Sequence, residues 1–206
     1  MYNILFLEDR TDRQISFLPN GINDYNEIIS IPNVRMPEPN SCKKIIEEIN
    51  NQTFEFEDDL KLIVVHRSIL NNSGISYLNQ FAKSNNIKLV FFSGGISQVL
   101  YYKDGIEQLF LNSTDFYSEL LIPFLIKYSI DDSTPILELF NENWKLSYMM
   151  LYRQLVQNLR ISTIDETDPY TYYYSTKERL IRIEKLLGVS GEEEVNKLFK
   201  ASTYNL

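Results

Sequence analysis

The strongest constraint on the fold of this chain comes from three short apolar runs in its first half. They occupy residues 4–7, 62–65 and 89–92. Each run is unbroken and rich in β-branched or aromatic residues, which is typical of a strand that is buried on both faces. Such strands belong to parallel sheets that helices cover on both sides, so the sequence predicts an α/β fold.

A small polar group follows each of the three runs. The groups are Glu8-Asp9, His66-Arg67-Ser68 and Ser93-Gly94-Gly95. In open parallel sheets, ligands bind outside the carboxyl ends of the strands, so these groups are expected to converge on one edge. The sequence therefore indicates the location of a functional site more clearly than its chemistry.

The remaining pattern of the first half predicts alternating strands and helices. Residues 25–31 are predicted to form a second strand that Pro32 ends, and amphipathic helices are predicted from residue 40 or 41 and over residues 74–85. The Asp104-Gly105 step between two apolar runs favours a hairpin, with a short helix over residues 96–102 as the alternative. A helix predicted from residue 113 or 114 to about 128 contains Pro123, which should kink it or mark its true start.

The polar stretch at residues 131–135 is the predicted boundary between two parts of the chain. Residues 1–130 are predicted to form the α/β domain, and residues 131–206 a helical extension. Within the extension, helices are predicted over residues 136–159, 176–187 and 191–201, with a linker at residues 160–169.

Charge and hydropathy limit the partners. The formal net charge is −8 at pH 7, and no block rich in Lys or Arg occurs. Because phosphate contacts supply most non-specific affinity for nucleic acids, nucleic-acid binding is not expected. The apolar segment at residues 120–130 is far shorter than the ~20 residues that span a bilayer, and the N-terminus lacks a basic leader pattern. We therefore expect a cytoplasmic protein that does not enter a membrane.

The order and spacing of these features resemble the receiver domain of bacterial response regulators. In that family, an acidic pair after the first strand binds Mg²⁺, the third strand ends in the phosphoacceptor Asp, the fourth in Ser or Thr, and the fifth in Lys. Glu8 and Asp9 match the acidic pair, and Ser93 matches the hydroxyl of the fourth strand. The resemblance implies a doubly wound, flavodoxin-like, mainly parallel sheet of five strands.

Two positions depart from the receiver pattern. His66 stands at the phosphoacceptor position, and Asn112 or Ser113 stands at the lysine position. Mg²⁺ prefers hard oxygen ligands, which an imidazole does not offer. The resemblance therefore implies a degenerate receiver, a pseudo-receiver, that does not accept phosphate in the usual way.

Several chemical roles remain open for the polar groups. Glu8 and Asp9 could hold Mg²⁺, or they could pair with a nearby arginine; no other cofactor is expected. His66 could act as a general base oriented by Asp9 or Glu8, and an acyl-transfer arrangement of Ser93, His66 and Asp9 is the corresponding catalytic hypothesis. Backbone amides at Ser93, Gly94 and Gly95 could bind an anion.

The C-terminal part contains four tyrosines in a short segment, and tyrosine is favoured at protein interfaces. They are Tyr170, Tyr172, Tyr173 and Tyr174. The first functional hypothesis is therefore a non-enzymatic, receiver-like regulatory module that binds a protein partner or a copy of itself. The alternatives are a hydrolase or phosphotransfer enzyme that uses Glu8, Asp9, His66 and Ser93, and an anion or nucleotide sensor.

Overall fold

The computed structural model describes residues 2–97, 99–102, 105–141, 144–162 and 169–203. For residues 102, 161, 162, 169–175 and 203 it describes the backbone alone. The chain forms two compact units, Met1–Glu142 and Asn143–Leu206.

A six-stranded sheet organises the described part of the first unit. Its strands are β1 (Ile4–Leu7), β2 (Val34–Arg35), β3 (Leu62–His66), β4 (Lys88–Phe92), β5 (Leu100–Tyr102) and β6 (Gln108–Leu111). The strand order is β2-β1-β3-β4-β6-β5, and only β5 runs antiparallel to its neighbour. The prediction of an α/β fold with a mainly parallel sheet is confirmed, and the order is compatible with a Rossmann or flavodoxin-like fold. The sheet has a sixth strand because the predicted hairpin adds β5 at its edge.

Helices of the first unit cover both faces of the sheet. They are α1 (Thr11–Phe17), α2 (Ile22–Ser30), α3 (Pro39–Asn50), α4 (Asn72–Asn85), α5 (Ser113–Phe116) and α6 (Leu121–Ile130). Short 3-10 helices occur at Arg67–Ile69 and Ile136–Leu139. The second unit contains α7 (Trp144–Ser162), α8 (Pro169–Leu187) and α9 (Gly191–Thr203).

The predicted second strand at residues 25–31 is wrong, because most of this segment lies in α2. The buried positions are Asp24, Ile28 and Ile31, at a spacing of four and three residues, whereas Ile29 is 48% exposed. That spacing follows a helix rather than a strand. The second strand is instead the two-residue β2, which begins after Pro32.

The helix predicted from residue 113 or 114 to about 128 is divided into α5 and α6. Pro123 is the third residue of α6, in the first turn, where an intrahelical partner for its missing N–H is not needed. Pro123 therefore lies at the start of a new helix and does not kink a longer one. In the second unit, α7 extends to Ser162 and α8 begins already at Pro169.

The sheet separates two sets of buried side chains. On one face, Leu5, Ile63 and Leu89 from three adjacent strands belong to a cluster that also contains buried side chains of α3 and α4. On the other face, the aromatic rings of Phe6, Phe92, Phe116 and Tyr117 contact one another. Phe92 and Phe116 are stacked with centroids 3.9 Å apart. This aromatic cluster lies beside the carboxyl ends of β1 and β4.

The second unit has its own buried cluster, built around Met149, Tyr152, Ile183 and Val195. Each of its three helices contributes to that cluster, so the unit is a small helical bundle. Among the described helices of the whole chain, none is long and apolar enough to cross a membrane.

Candidate functional site at the carboxyl ends of β1 and β3

The direction of the chain through the sheet reverses at β1. From β1 the chain passes to β2 on one side and then crosses to β3 on the other. In open α/β sheets, ligands bind in the crevice at such a reversal, outside the carboxyl ends of the strands. Glu8 and Asp9 follow β1 directly, and His66 is the last residue of β3. Because Leu7 pairs with Val65, Glu8 and His66 follow paired residues at the ends of two adjacent strands.

Glu8 is a buried carboxylate held by one arginine. Its side chain is fully buried, and Oε1 accepts a hydrogen bond from Arg13 Nη2 at 2.5 Å and one from the backbone N–H of Arg10 at 3.1 Å. Tyr117 OH makes a long contact of 3.5 Å to the other carboxylate oxygen. Arg13 contacts Glu8 from the first turn of α1, which begins at Thr11, three residues after Glu8.

Arg13 also approaches the second acid of the pair. Its Nη2 lies 3.8 Å from Oδ1 of Asp9, a residue that precedes the helix carrying Arg13. Asp9 Oδ1 and Arg13 Nε are buried without a hydrogen-bond partner in the described part of the chain. The guanidinium of Arg13 thus supplies a positive charge to both acids from within the chain.

Burial and hydrogen bonding shift the pKa of Glu8 in opposite directions. Burial, the larger effect, raises the pKa of Glu8, and the hydrogen bonds from Arg13 and the Arg10 amide lower it. Within the described residues, no group of three or more His, Cys, Asp or Glu side chains is arranged to hold a metal ion. A metal ion bound by Glu8 and Asp9 would have to displace Arg13.

His66 is a buried and neutral imidazole. It is 3% exposed, its Nδ1 lies 2.8 Å from Ser68 Oγ, and its ring meets the ring of Phe92 edge-on at 5.2 Å. Burial lowers the pKa of His66 to about 4, and the charge of Arg13 acts in the same direction. The described structure joins His66 to Ser68 rather than to the carboxylate of Glu8 or Asp9.

The loop after β4 is joined to α5 rather than to His66. Ser93 O accepts hydrogen bonds from the backbone N–H groups of Ile96 at 3.1 Å and Ser113 at 3.3 Å, and Ser93 Oγ accepts one from Gly95 N at 3.4 Å. No hydrogen bond connects Ser93 with His66 among the described residues. The structure thus places Ser93, His66 and Asp9 at the same edge of the sheet without a hydrogen-bonded relay.

The two glycines of this loop are not required by the backbone. Neither Gly94 nor Gly95 has a positive φ, and a Cβ added at Gly94 would meet no atom within 4 Å. Both residues are exposed, so their backbone is open to a neighbouring molecule. Anion binding by Ser93, Gly94 and Gly95 remains a prediction.

Asn112, one of the two residues at the position that the receiver resemblance assigns to lysine, joins the loop after β4 to α5. Its Nδ2 donates to Ile96 O at 2.9 Å and to Gly94 O at 3.3 Å, and its Oδ1 accepts from Thr114 N at 2.9 Å. One neutral amide therefore fixes the loop after β4 and caps α5.

The tyrosines of the predicted interface lie partly outside the described residues. The backbone at Tyr170, Tyr172, Tyr173 and Tyr174 belongs to the first turns of α8, whereas their side chains are not described. The interface role of these four tyrosines remains a prediction.

The sequence predicted a nearby arginine as one possible partner of the acidic pair but did not select Arg13. The signal that could have selected it is its position in the first turn of a short helix that follows the acidic pair directly. Ser68 and Tyr117, which contact His66 and Glu8, could not be paired with them from the sequence.

We compared the chain with family models, with curated proteins and with solved structures, and none of the three comparisons yields a match.

Proposed function

We propose that this protein is a receiver-like regulatory module that binds a protein partner or a second copy of itself and does not accept phosphate in the usual way. The observation that supports this most directly is the guanidinium of Arg13, 2.5 Å from Glu8 Oε1 and 3.8 Å from Asp9 Oδ1. A positive side chain occupies the surroundings of the two carboxylates on which a receiver would bind Mg²⁺.

The residue at the phosphoacceptor position supports the same conclusion. Transfer of a phosphoryl group to a carboxylate requires the carboxylate and a cation that neutralises the developing charge. His66 offers a neutral imidazole in contact with Ser68 and Phe92 instead. Its Nδ1 is engaged by the Ser68 hydroxyl, and the ring is 3% exposed, so a phosphoryl donor has little access to it.

The enzymatic alternative receives less support from the same geometry. A general base works best with a pKa near the operating pH, and the pKa of His66 is lowered to about 4. In the described structure its hydrogen-bond partner is a hydroxyl, which does not stabilise an imidazolium as a carboxylate would.

A phosphorylation assay tests the proposal. The full chain is incubated with acetyl phosphate and MgCl₂, and its intact mass is measured. We expect no phosphoryl adduct and no change of melting temperature on addition of MgCl₂. A stoichiometric adduct on the wild-type chain would contradict the proposal.

The matched variant for this assay is Arg13→Ala. Without the guanidinium, the two carboxylates lack their cation, and Mg²⁺ should stabilise the variant by binding the native state. Arg10→Ala is the control, because Arg10 pairs with the exposed Asp12 and should leave the response to MgCl₂ unchanged. Equal responses of wild type and Arg13→Ala to MgCl₂ would show that Arg13 does not substitute for a metal ion.

A further inference from the structure

A groove on the second unit lies between α7 and α9. It has a volume of about 550 Å³ and is lined along α7 by side chains at helical spacing, from Met150 through Arg153 and Gln157 to Arg160. On α9, Asn196 and Phe199 line it in the same way. Two packed helices thus present one face each to the groove.

Three of the nine described side chains that line the groove are apolar, namely Met150, Val156 and Phe199, and the other six are polar or charged. Val156 is 9% exposed and forms part of the bundle core, whereas Met150 at the rim is 59% exposed. Phe199 is half-buried on the other side. A large exposed methionine beside a buried apolar surface is typical of a surface that accommodates an apolar side chain of a partner.

One cation of the groove stacks on an aromatic ring and has no acidic partner among the described residues. The guanidinium of Arg153 lies over the ring of Phe199, 4.5 Å from its centroid, and Arg153 forms no ion pair within the described residues. Arg160 at the end of the groove differs, because it donates hydrogen bonds of 2.8 and 3.0 Å to both carboxylate oxygens of Glu192. The stacked Arg153 is therefore oriented and available to bind a carboxylate.

The charges of the chain are divided unevenly between the two units. Residues 1–142 contain eleven Lys or Arg and twenty Asp or Glu, whereas residues 143–206 contain nine and eight. The acidic excess of the chain belongs to the first unit. The net charge of the second unit is close to zero, so it does not by itself repel an acidic ligand.

We propose that the groove between α7 and α9 binds an acidic amphipathic helix of a protein partner. A Glu or Asp of that helix pairs with Arg153, and its apolar side chains contact Met150, Val156 and Phe199. Met150 and Arg160 are separated by ten residues of α7, or about 15 Å, which corresponds to about three turns of a bound helix. This proposal rests on the proposed function and specifies the partner's chemistry and the surface that recognises it.

The groove fits a protein helix better than a nucleic acid. Glu192, Glu193 and Glu194 form the first turn of α9, at the end of the groove where Glu192 lies. These carboxylates repel any anion at that end of the groove, so a carboxylate of the bound helix is restricted to Arg153, which lies seven residues before the Arg160 that pairs with Glu192. A phosphate backbone needs a row of cations, which Arg153 alone does not provide.

A peptide titration tests the proposal on the full chain. The probe is a fluorescein-labelled helical peptide of about four turns, with Leu on one face and Glu on both flanks of that face; a second peptide has Lys at every Glu position. We expect saturable binding of the Glu peptide by fluorescence anisotropy, and binding of the Lys peptide that is weaker by about tenfold or more. Equal affinity for both peptides, or a preference for a labelled single-stranded oligonucleotide, would overturn the proposal.

Variants locate the binding surface. Arg153→Glu and Met150→Glu should each weaken binding of the Glu peptide by about tenfold or more. Arg179→Glu is the matched control, since Arg179 is an exposed cation of α8 outside the lining of the groove, and it should bind as wild type does. Circular dichroism establishes that each variant is folded. If Arg179→Glu lost as much affinity for the Glu peptide as Arg153→Glu, the net charge alone would explain the loss, which would contradict the proposal.

The remaining outcomes separate the two proposals. If no peptide binds and Arg153→Glu instead abolishes self-association measured by sedimentation, the occupant is a second copy and the partner assignment is wrong. If no peptide binds and no phosphoryl adduct forms with acetyl phosphate, the groove proposal fails while the proposed function stands. A phosphoryl adduct overturns the proposed function whatever the groove binds.

Discussion

Arg13 lies within reach of both acids after β1, and the buried one depends on it most. Glu8 has a fully buried side chain, whereas Arg13 is 20% exposed and Asp9 23% exposed. A buried carboxylate without a counter-charge is strongly destabilising, because desolvation is no longer compensated. At the scale of single residues, the ion pair between Arg13 and Glu8 therefore contributes to the stability of the fold and, in our proposal, keeps Mg²⁺ from the two acids.

Arg13→Ala should lower the free energy of unfolding by about 3 kcal/mol, at the lower end of the range for breaking a buried pair because Arg13 is partly exposed. The pKa of Glu8 is already raised by burial, and loss of Arg13 raises it further. Protonation of Glu8 then relieves the penalty, so the loss should be larger at about pH 7.5 than at about pH 5. Urea unfolding at both pH values measures this effect.

The control for that measurement is Arg10→Ala, which removes an ion pair with Asp12 in which the two side chains are 55% and 75% exposed. Exposed pairs of this kind contribute little, so the urea midpoint of Arg10→Ala should stay close to that of the wild type. A larger effect of Arg10→Ala than of Arg13→Ala would contradict the assignment of the buried pair.

His66 should make stability depend on pH in a defined window. Its pKa is lowered to about 4 in the folded protein from the usual 6.5, so the unfolded chain binds more protons between these values. The contribution is fully present above about pH 6.5 and is lost as the pH falls to about 4, with an upper limit of about 3 kcal/mol. His66→Gln should remove this part of the pH dependence.

The protein contains a single histidine, so its imidazole signal can be followed by NMR without ambiguity. We expect a titration midpoint near 4. A midpoint near the usual value would mean that His66 is accessible and would restore the general-base hypothesis.

At the scale of elements, one amide joins a loop to a helix. Asn112 caps the four-residue α5 and bonds the carbonyls of Gly94 and Ile96, so β4, its following loop and α5 are fixed together. A helix this short has little stability of its own and depends on such caps and on packing.

Asn112→Ala should therefore destabilise the protein by about 1–2 kcal/mol, since both the cap and the loop contacts are lost. Asn112→Asp keeps an acceptor for Thr114 N but loses the two donated bonds, and it should fall between wild type and Asn112→Ala. Denaturant unfolding of the three proteins measures the order. An Asn112→Asp variant as unstable as Asn112→Ala would assign the contribution to the loop contacts alone.

At the scale of the whole molecule, each unit contains its own buried cluster. The complete sheet and the helices that cover it belong to Met1–Glu142, and the cluster around Met149 belongs to Asn143–Leu206. A chain that ends at Glu142 should therefore keep the α/β fold and unfold in one cooperative urea transition.

Far-UV circular dichroism and urea unfolding of this shortened chain test the expectation. A broad, non-cooperative transition would mean that the first unit requires residues beyond Glu142. A matched chain that ends at Ile130 should be less stable, because it lacks Ile136, Leu137 and Leu139, which are buried in the first unit's last turn.

The sequence by itself determined three of the strands, β1, β3 and β4, because each is a short unbroken apolar run of the kind that a doubly covered parallel sheet buries. It also determined that Glu8, Asp9, His66 and Ser93 lie at one edge of the sheet, since parallel strands end together. It did not determine the secondary structure of residues 25–31, because an apolar run of this length is compatible with both a helix and a strand. The tertiary packing of Ile28 and Ile31 selects the helix.

Only the tertiary structure decided the chemistry of the candidate site. The sequence did not select Arg13 among the arginines near the acidic pair, and the folded chain brings its guanidinium from α1 to Glu8. Likewise, the Ser68 hydroxyl and the Phe92 ring, rather than a carboxylate, became the partners of His66. Periodicity records which side chains are buried, but the counter-charge of a buried acid depends on distances of a few ångströms between elements, and those are set by packing.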